Sequence, residues 1–511
     1  MRIFNLHSAE NATSLRRGSV HFAQKNKTIQ TPACLTYTLR GSVPHLVTDN
    51  LKQLPVESVQ VSLDHFVDKK EPPSFNYPHG LHKYLNMQDQ LLFLDVRDPS
   101  KLAPTAANSD KFIAVDTNSG VQRITTETWI KALNAYRPDW CAPFADTVKA
   151  GEELKSKRII KAVDRTLRWL NESLPKAQEL NIPIMAPVVG YNNEEERVRS
   201  AVATAEKDVQ GFILNAFELK DDEIDKCFKS TIDHLPKDKP RLAYGLSTPE
   251  KILQGITNGI DLFDGSYAYQ MTEKGRAIIF KFGETADIET RSDPEEKTLN
   301  LWKKELSQTF DPIDPSCKCY SCSTPHTQAY IHHLLNAHEM LGPLLLMSHN
   351  VYQLEQFMAS IRKSIDEDRF EQDMQSFMKK YRHEAETNGK LEHEDEIDAD
   401  SLGNHVTHIA ALPLEVFPDG SFVVGITIVC MLINVIKRMP CAFVGKRQPQ
   451  SDGKFGTPLL VTEVHAVNTK DGKRHNHYAK NLEAMSLICN LALGPADKDE
   501  LIDWLEGLKS H

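Results

Sequence analysis

The sequence predicts an α/β protein whose main domain is a (β/α)8 barrel, with a doubly wound parallel sheet as the other closure open to it. Three observations lead there. From about residue 45 to 290, short apolar runs alternate with amphipathic stretches, the pattern of βαβ units around a parallel sheet. The chain has 511 residues, more than one core usually supports, so a large domain plus something else is expected. Hydrophobic residues at 40% and charged residues at 25% describe a soluble globular protein, not a disordered or fibrous one.

Taken in order, strands are expected at Ser58–Leu63, Gln90–Val96, Ile182–Gly190, Gly211–Asn215, Arg241–Leu246 and Ile260–Phe263. Helices are expected at Thr126–Tyr136, Lys155–Leu170, Asn193–Lys207, Asp221–His234 and Thr248–Asn258. Asn193, Asp222 and Thr248 stand where N-caps would, and Pro249 takes a first-helical position. The barrel core is assigned to residues 1–299 and a second region to 300–383. That region opens on a cysteine cluster and continues through helices expected at Thr327–Leu346, Val351–Ile365 and Phe370–Tyr381. In the middle helix Val351, Leu354, Phe357, Met358 and Ile361 keep the helical apolar rhythm.

Beyond Tyr381 the composition shifts. His383–Asp400 is acidic and almost free of apolar residues, so 384–404 reads as a solvated linker and 405–511 as an unassigned C-terminal extension. Within the extension, Phe422–Ile436 is an apolar run of 15 residues interrupted by Asn434. It is short of the ~20 needed to span a bilayer, so buried core is the first reading and a weak membrane anchor the second. Turn signals at Asp452-Gly453 and Asp471-Gly472 surround short β-rich runs such as Leu459–Val464, followed by a helical Tyr478–Leu493.

Sixty Lys+Arg against 70 Asp+Glu give a net charge of −10. That argues against a chain that coats nucleic acid alone, but not against a local basic face or a basic partner. The nine cysteines are odd in number and the N-terminus carries no apolar signal core, so free thiols in a reducing compartment are expected.

Three of those cysteines form Cys317-Lys-Cys319-Tyr-Ser-Cys322. Thiolates at this spacing can reach one zinc ion, which wants a fourth ligand, and His326, His332, His333, His338 and His349 all follow. Four protein ligands leave no open position, so the ion would be structural. A basic stripe, Lys155, Arg158, Lys161, Arg165 and Arg168, lies on one face of the expected 155–170 helix. It reads either as a solvated face or as a phosphate-binding one. Asp264 closes an expected strand, where a barrel keeps its active site, and Asp95, at the end of LLFLD, and Asp146, after APFA, occupy similar positions; Asp also caps helices at such points.

Arg16-Arg17-Gly18, Thr31-Pro32-Ala33, Leu81-His82-Lys83, KSKRIIKAVDRTLRWL, GIDLFDGSYAYQ and CKCYSC with TQAYIHHLLNAHEMLGPLLLMSHN together resemble the tRNA-guanine transglycosylase family, over roughly residues 10 to 383. The resemblance implies a (β/α)8 barrel with an attached zinc-binding subdomain, and a structural Zn2+ on Cys317, Cys319, Cys322 and His349. The family replaces guanine at the wobble position of tRNAs with GUN anticodons by queuine or a precursor. An aspartate forms a covalent ribosyl intermediate and a second carboxylate handles the proton.

Asp264 falls at the nucleophile position and Asp95 at that of the second aspartate, but their surroundings depart from the family pattern. The Ser-Gly-Gly-x-Gln run is Val96-Arg97-Asp98-Pro99, and the Val-Gln-Gly-Gly segment is Val188-Val189-Gly190-Tyr191. The Gly-Gly-Leu loop is Leu214-Asn215-Ala216, and Leu-Pro-Thr-Arg is Ser266-Tyr267-Ala268-Tyr269. A purine pocket without its polar partners loses discrimination. The resemblance therefore implies a non-catalytic subunit with no catalytic residue of its own. Its implied partners are a catalytic subunit of the same fold, as a heterodimer, and tRNA within the complex. The expected location is cytoplasmic, with peripheral association at the mitochondrial outer membrane as a further expectation. Two other readings stay open: an active transglycosylase using Asp264 as nucleophile, and a zinc-stabilised tRNA-binding or interaction module.

Overall fold

A strand buried on both faces is mostly apolar, and the chain supplies eight short, largely buried segments whose few polar residues, such as Gln60, Asp95 and Asp264, are buried with them. In the computed structural model they are β1 (Ala33–Tyr37), β2 (Ser58–Ser62), β3 (Leu91–Asp95), β4 (Trp140–Cys141), β5 (Met185–Val188), β6 (Gly211–Asn215), β7 (Arg241–Tyr244) and β8 (Leu262–Asp264). The structure describes residues 3–381, apart from 8–14, 69–71, 102–106, 118, 148–153, 218, 284–295 and 325. All paired strands of this sheet run parallel, in the order β5-β6-β7-β8-β1-β2-β3-β4. A bridge from Cys141 to Ile184 closes β4 onto β5, with the Cys141 amide donating to the Pro183 carbonyl at 3.0 Å. Of the two closures open to the sequence, the barrel is the one formed.

Alternation along the strands separates two cores. Val59, Val61, Leu92, Leu94, Phe212, Leu214 and Phe263 point outward into the layer shared with the helices. Leu35, Leu91, Phe93, Trp140, Met185, Ile213, Leu242 and Leu262 fill the barrel. Ile3, Phe4, Val20, Phe22 and Ile29 join that inner cluster from an antiparallel sheet of Phe4–Leu6, Gly18–Phe22 and Lys27–Thr31. Phe22 and Phe93 meet the Trp140 ring edge-on at 5.2 and 5.0 Å, so this sheet plugs one end of the barrel. Gly18 has to be glycine there, since a Cβ would lie 2.7 Å from the Asn5 carbonyl oxygen and the Phe4 ring. Arg16 locks the plug by donating to Asp261 at 2.9 Å and to the carbonyls of Lys237 and Lys239 at 3.0 Å.

The expected helices are present at Thr126–Tyr136, Ser156–Glu179, Glu194–Ala205, Asp221–Ile232 and Pro249–Thr257. Asn193 caps its helix by accepting the Glu196 amide at 3.0 Å. Asp222 is not a cap: the cap is Lys220, whose amide donates to Glu223 at 3.0 Å, and Asp222 lies in an acidic first turn facing the helix dipole. Thr248 holds the cap position without a side-chain bond.

The second region differs in one instructive way. The break expected between Leu346 and Val351 lies earlier, between the helices Gln328–Asn336 and Leu341–Asp366. His338 turns left-handed there (φ 55°), and Pro343, in the first turn of the longer helix, has an amide position that needs no partner. The 26-residue helix that results carries His349 in its interior. The helix Phe370–Lys380 follows it. Among the described residues, no helix is long and apolar enough to cross a membrane. The expectations for the acidic linker, the Phe422–Ile436 run and the 405–511 extension fall outside the described residues.

Candidate functional site

Two places gather the chemistry-bearing residues. The first is the cysteine cluster. Cys317 and Cys319 lie in the loop before the short helix Tyr320–Ser323, which carries Cys322. Ser321 donates to the Leu345 carbonyl and so holds this turn against the 341–366 helix. His349 points its Nδ1 at all three sulfurs: 3.8 Å to Cys317, 3.5 Å to Cys319 and 3.4 Å to Cys322. A tetrahedral ion with Zn–S near ~2.3 Å and Zn–N near ~2.0 Å places sulfur and nitrogen about 3.6 Å apart. The His349–sulfur distances of 3.4 to 3.8 Å bracket that figure, and the four ligand atoms all lie within 4.8 Å of one another.

The ring is oriented from behind. His349 Nε2 donates to the Ile278 carbonyl at 2.8 Å, which leaves Nδ1 unprotonated and free to bind a metal. Asn350, next in sequence, accepts the Ile278 amide at 2.8 Å and donates to the Arg276 carbonyl and to Thr272. Neither His326, tied to Thr324 and stacked on Tyr330, nor His332, bonded to the Leu301 carbonyl at 2.8 Å, belongs to the group. With four protein ligands the set has no open position, so it can hold an ion but not present it to a substrate.

The second place is the barrel mouth, at the C-terminal ends of the strands. Asp95, ending β3, accepts from the Val96 amide at 2.6 Å and from the Tyr244 hydroxyl, and Tyr244 in turn accepts from Gln60 at 2.9 Å. Burial pushes the Asp95 carboxyl up to about 6, against the pull of those two hydrogen bonds. Asp264, ending β8, is 1% exposed. Burial raises it to about 6 as well, although Ser266 donates to its Oδ1 from both hydroxyl and amide. Its Oδ2 makes no hydrogen bond among the described residues.

A network that sequence reasoning did not single out closes the mouth. Asp98 accepts from the Tyr37 hydroxyl at 2.9 Å, from His65 Nε2 at 3.1 Å and from the Ser100 amide at 2.9 Å. The Arg40 amide donates to His65 Nδ1 at 3.2 Å, which puts the ring proton on Nε2, facing Asp98. Burial would raise the Asp98 carboxyl; the hydrogen bonds from His65 and the Ser100 donors outweigh it and hold the group down at about 2. Tyr37 stacks on Tyr269 at 5.0 Å. Asp98 and Tyr269 both lie in the segments that depart from the family pattern, and that departure was the only signal in the sequence.

Asp146 and the basic stripe answer one another. Asp146 is fully buried, and Arg158 grips it with two bonds of 2.8 and 3.0 Å while Arg165 adds a third. Arg165 and Arg168 also pair with Asp110. The arginines of the stripe are therefore occupied by carboxylates, and of the residues named for it only Lys155 and Lys161 stand exposed. Asp146 is a structural anchor whose carboxylate is taken up by Arg158, Arg165 and Asn108.

Between these groups lies a cavity of about 80 Å³ whose wall includes Asp95, Arg97, Val189, Asn215, Phe217 and Tyr244. Asp264 is not among its lining residues. Val189 offers only a side chain of carbon, since its amide is already bonded to Ser200 at 3.3 Å.

A family model described as "Queuine tRNA-ribosyltransferase" matches residues 11–383. Similar proteins include three named queuine tRNA-ribosyltransferase accessory subunit 2. That of Xenopus tropicalis is 33% identical over 390 residues, covering 69% of this chain and 94% of its own. That of Homo sapiens is 32% identical over 382 residues, covering 68% and 91%. That of Gallus gallus is 30% identical over 381 residues, covering 67% and 88%.

Proposed function

Because the chain belongs to the queuine tRNA-ribosyltransferase family, we propose that it acts as a non-catalytic subunit of a heterodimer that exchanges guanine for queuine at the tRNA wobble position. The names of its relatives support the accessory role. One observation carries the reading: Asp264, at the position of the family nucleophile, is buried, tied to Ser266 and outside the cavity wall. The wall itself presents Val189 where the family reads the base through an amide side chain. A carboxylate withdrawn from the cavity wall and bonded to its neighbour is poorly placed to attack a ribose, whatever its intrinsic basicity.

On this reading the catalytic subunit supplies the chemistry, and this chain supplies a folded surface for it and for tRNA. The four-ligand centre holds one structural Zn2+, supported by the tetrahedral fit of Cys317, Cys319, Cys322 and His349. The protein works in the cytoplasm and associates peripherally with the mitochondrial outer membrane. That last part rests on the resemblance alone and is tested by fractionating cells with the tagged full chain.

The central test is base exchange with labelled guanine. The purified chain alone should show none, the chain with its catalytic partner should show exchange, and Asp264→Ala in this chain should leave that exchange unchanged. The retained Asp264 and Asp95 pair favours a second reading, a single-chain enzyme with a rebuilt pocket. Exchange by the single chain, abolished by Asp264→Ala, would establish it in place of the first.

A further inference from the structure

The end of β8 is roofed by side chains from other segments. Asp264 pairs in register with Leu35 of β1, and Tyr37 lies two residues on, on the inward face of Leu35 and roughly 7 Å nearer the mouth. β1 cannot draw away from β8 here. The Gly265 amide donates to the Leu35 carbonyl at 2.8 Å, and a Cβ on Gly265 would lie 2.5 Å from that oxygen. Tyr269, on the helix Ser266–Glu273 that follows Asp264, stacks on Tyr37 with the rings 21° apart. Tyr37 and the Asp264 carboxylate below it are both buried.

The stack is fixed from across the mouth. The Tyr37 hydroxyl donates to Asp98, beyond the end of β3, at 2.9 Å. Asp98 is itself held by its amide, which donates to Asp64 at 2.9 Å, and by His65 Nε2, so the segments after β1, β2, β3 and β8 converge on one phenol. A hydroxyl donating to a buried carboxylate makes a charge-assisted bond, stronger than a neutral pair. The Asp98 charge is close enough to Asp264 to add to burial in raising it. Asp98 and Tyr269 both stand in runs where this sequence departs from the family pattern, and these two departures are what hold Tyr37 in place.

We propose that Tyr37 and Tyr269, latched by Asp98, form an autoinhibitory lid that shuts Asp264 away from any nucleoside at the barrel mouth. The lid silences a retained carboxylate by geometry, without deleting it. A sealed group reacts only in the fraction of molecules that are locally open, so weakening the latch raises its reactivity in proportion. The inference deepens the non-catalytic reading above and rests on it, but its test needs neither tRNA nor the partner.

The experiment treats the full chain with a water-soluble carbodiimide and glycinamide, which turn reachable carboxyls into amides as the urea leaves, and maps the labelled sites by peptide mass. Asp49, with 89% of its side chain exposed, is the fast reference, and the buried Asp261, before β8 at the other end of the barrel, the slow one. In the unaltered chain Asp264 should react at least about a hundredfold more slowly than Asp49. Tyr37→Phe, which removes only the latching hydroxyl, should speed Asp264 labelling at least about tenfold, and Tyr269→Ala several-fold, with Asp261 unchanged. Should Tyr269→Ala fail to fold, judged by circular dichroism, the near-isosteric Tyr37→Phe carries the test alone. Asp264 labelling at the rate of Asp49, a rate unchanged in the folded variants, or a rise that Asp261 shares would overturn the lid. Such a failure leaves the non-catalytic reading intact, and base exchange by the single chain would strike that reading separately.

Discussion

His349 and Ile278 are joined by a ring N–H donating to a backbone carbonyl at 2.8 Å, and Asn350 accepts the amide of the same Ile278 at 2.8 Å. One turn of helix thus grips both faces of one peptide position and fixes how the imidazole meets three cysteines. The Cys3His cluster, which could hold a metal ion, is shaped by the strand Arg276–Ile278 as much as by its own four side chains.

Cys319→Ser should therefore remove the metal and lower stability by about 3–5 kcal/mol, the scale on which losing a structural metal or a buried network acts. Metal content by atomic absorption and a chemical denaturation curve check it. Unchanged content and midpoint would mean the four side chains hold no ion.

Asn350→Ala separates the supporting bonds from the ligands. The buried Ile278 amide would lose its partner, at about 1–3 kcal/mol. Metal affinity should fall about 10–100-fold with all four ligands present. A competition titration with a chelator measures it; an affinity equal to wild type would show that the helix alone orients His349.

Burial of Asp264 gives a pH dependence with a definite sign. Its carboxyl rises from 3.8 to about 6 on folding, so the folded state holds its proton more tightly than the unfolded chain. The contribution is fully favourable below pH ~4 and is lost as pH rises through about 6, leaving the ionised group a cost of about 3 kcal/mol at neutral pH. Asp264→Asn should be more stable than wild type at pH 7, by up to that amount, and the difference should vanish by pH ~4. Urea titrations of both proteins across that range decide it, and a difference independent of pH would place the cause elsewhere.

What the sequence made legible follows from how local each signal was. Six barrel strands, β2, β3 and β5 to β8, stand out as apolar runs, and five helices as amphipathic ones. β4 does not, because Trp140–Cys141 is two residues long and two residues show no alternation. β1 does not either, since Thr36 and Cys34 dilute its apolar character and Pro32 precedes it. The ligand spacing of Cys317, Cys319 and Cys322 is a one-dimensional signal, but choosing His349 among five histidines took the family resemblance. Pairing across the chain was invisible. Nothing local connects Asp146 to Arg158 and Arg165, 12 and 19 residues on, or Asp98 to His65 and Tyr37.

That hidden pairing divides the basic stripe into two functions, and substitutions should separate them. Arg165→Ala opens a buried pair, and with Asp146 left partly uncompensated it should cost about 3–5 kcal/mol of stability. Lys155→Glu with Lys161→Glu touches only exposed side chains and should leave stability within about 0.5 kcal/mol. If this face holds tRNA in the heterodimer, the double lysine variant should weaken tRNA binding and reduce the slope of log affinity against log salt by about 2. Filter binding of the assembled complex over a salt series measures that slope. A slope unchanged in the lysine variant would assign the 156–179 helix to holding the barrel together and nothing more.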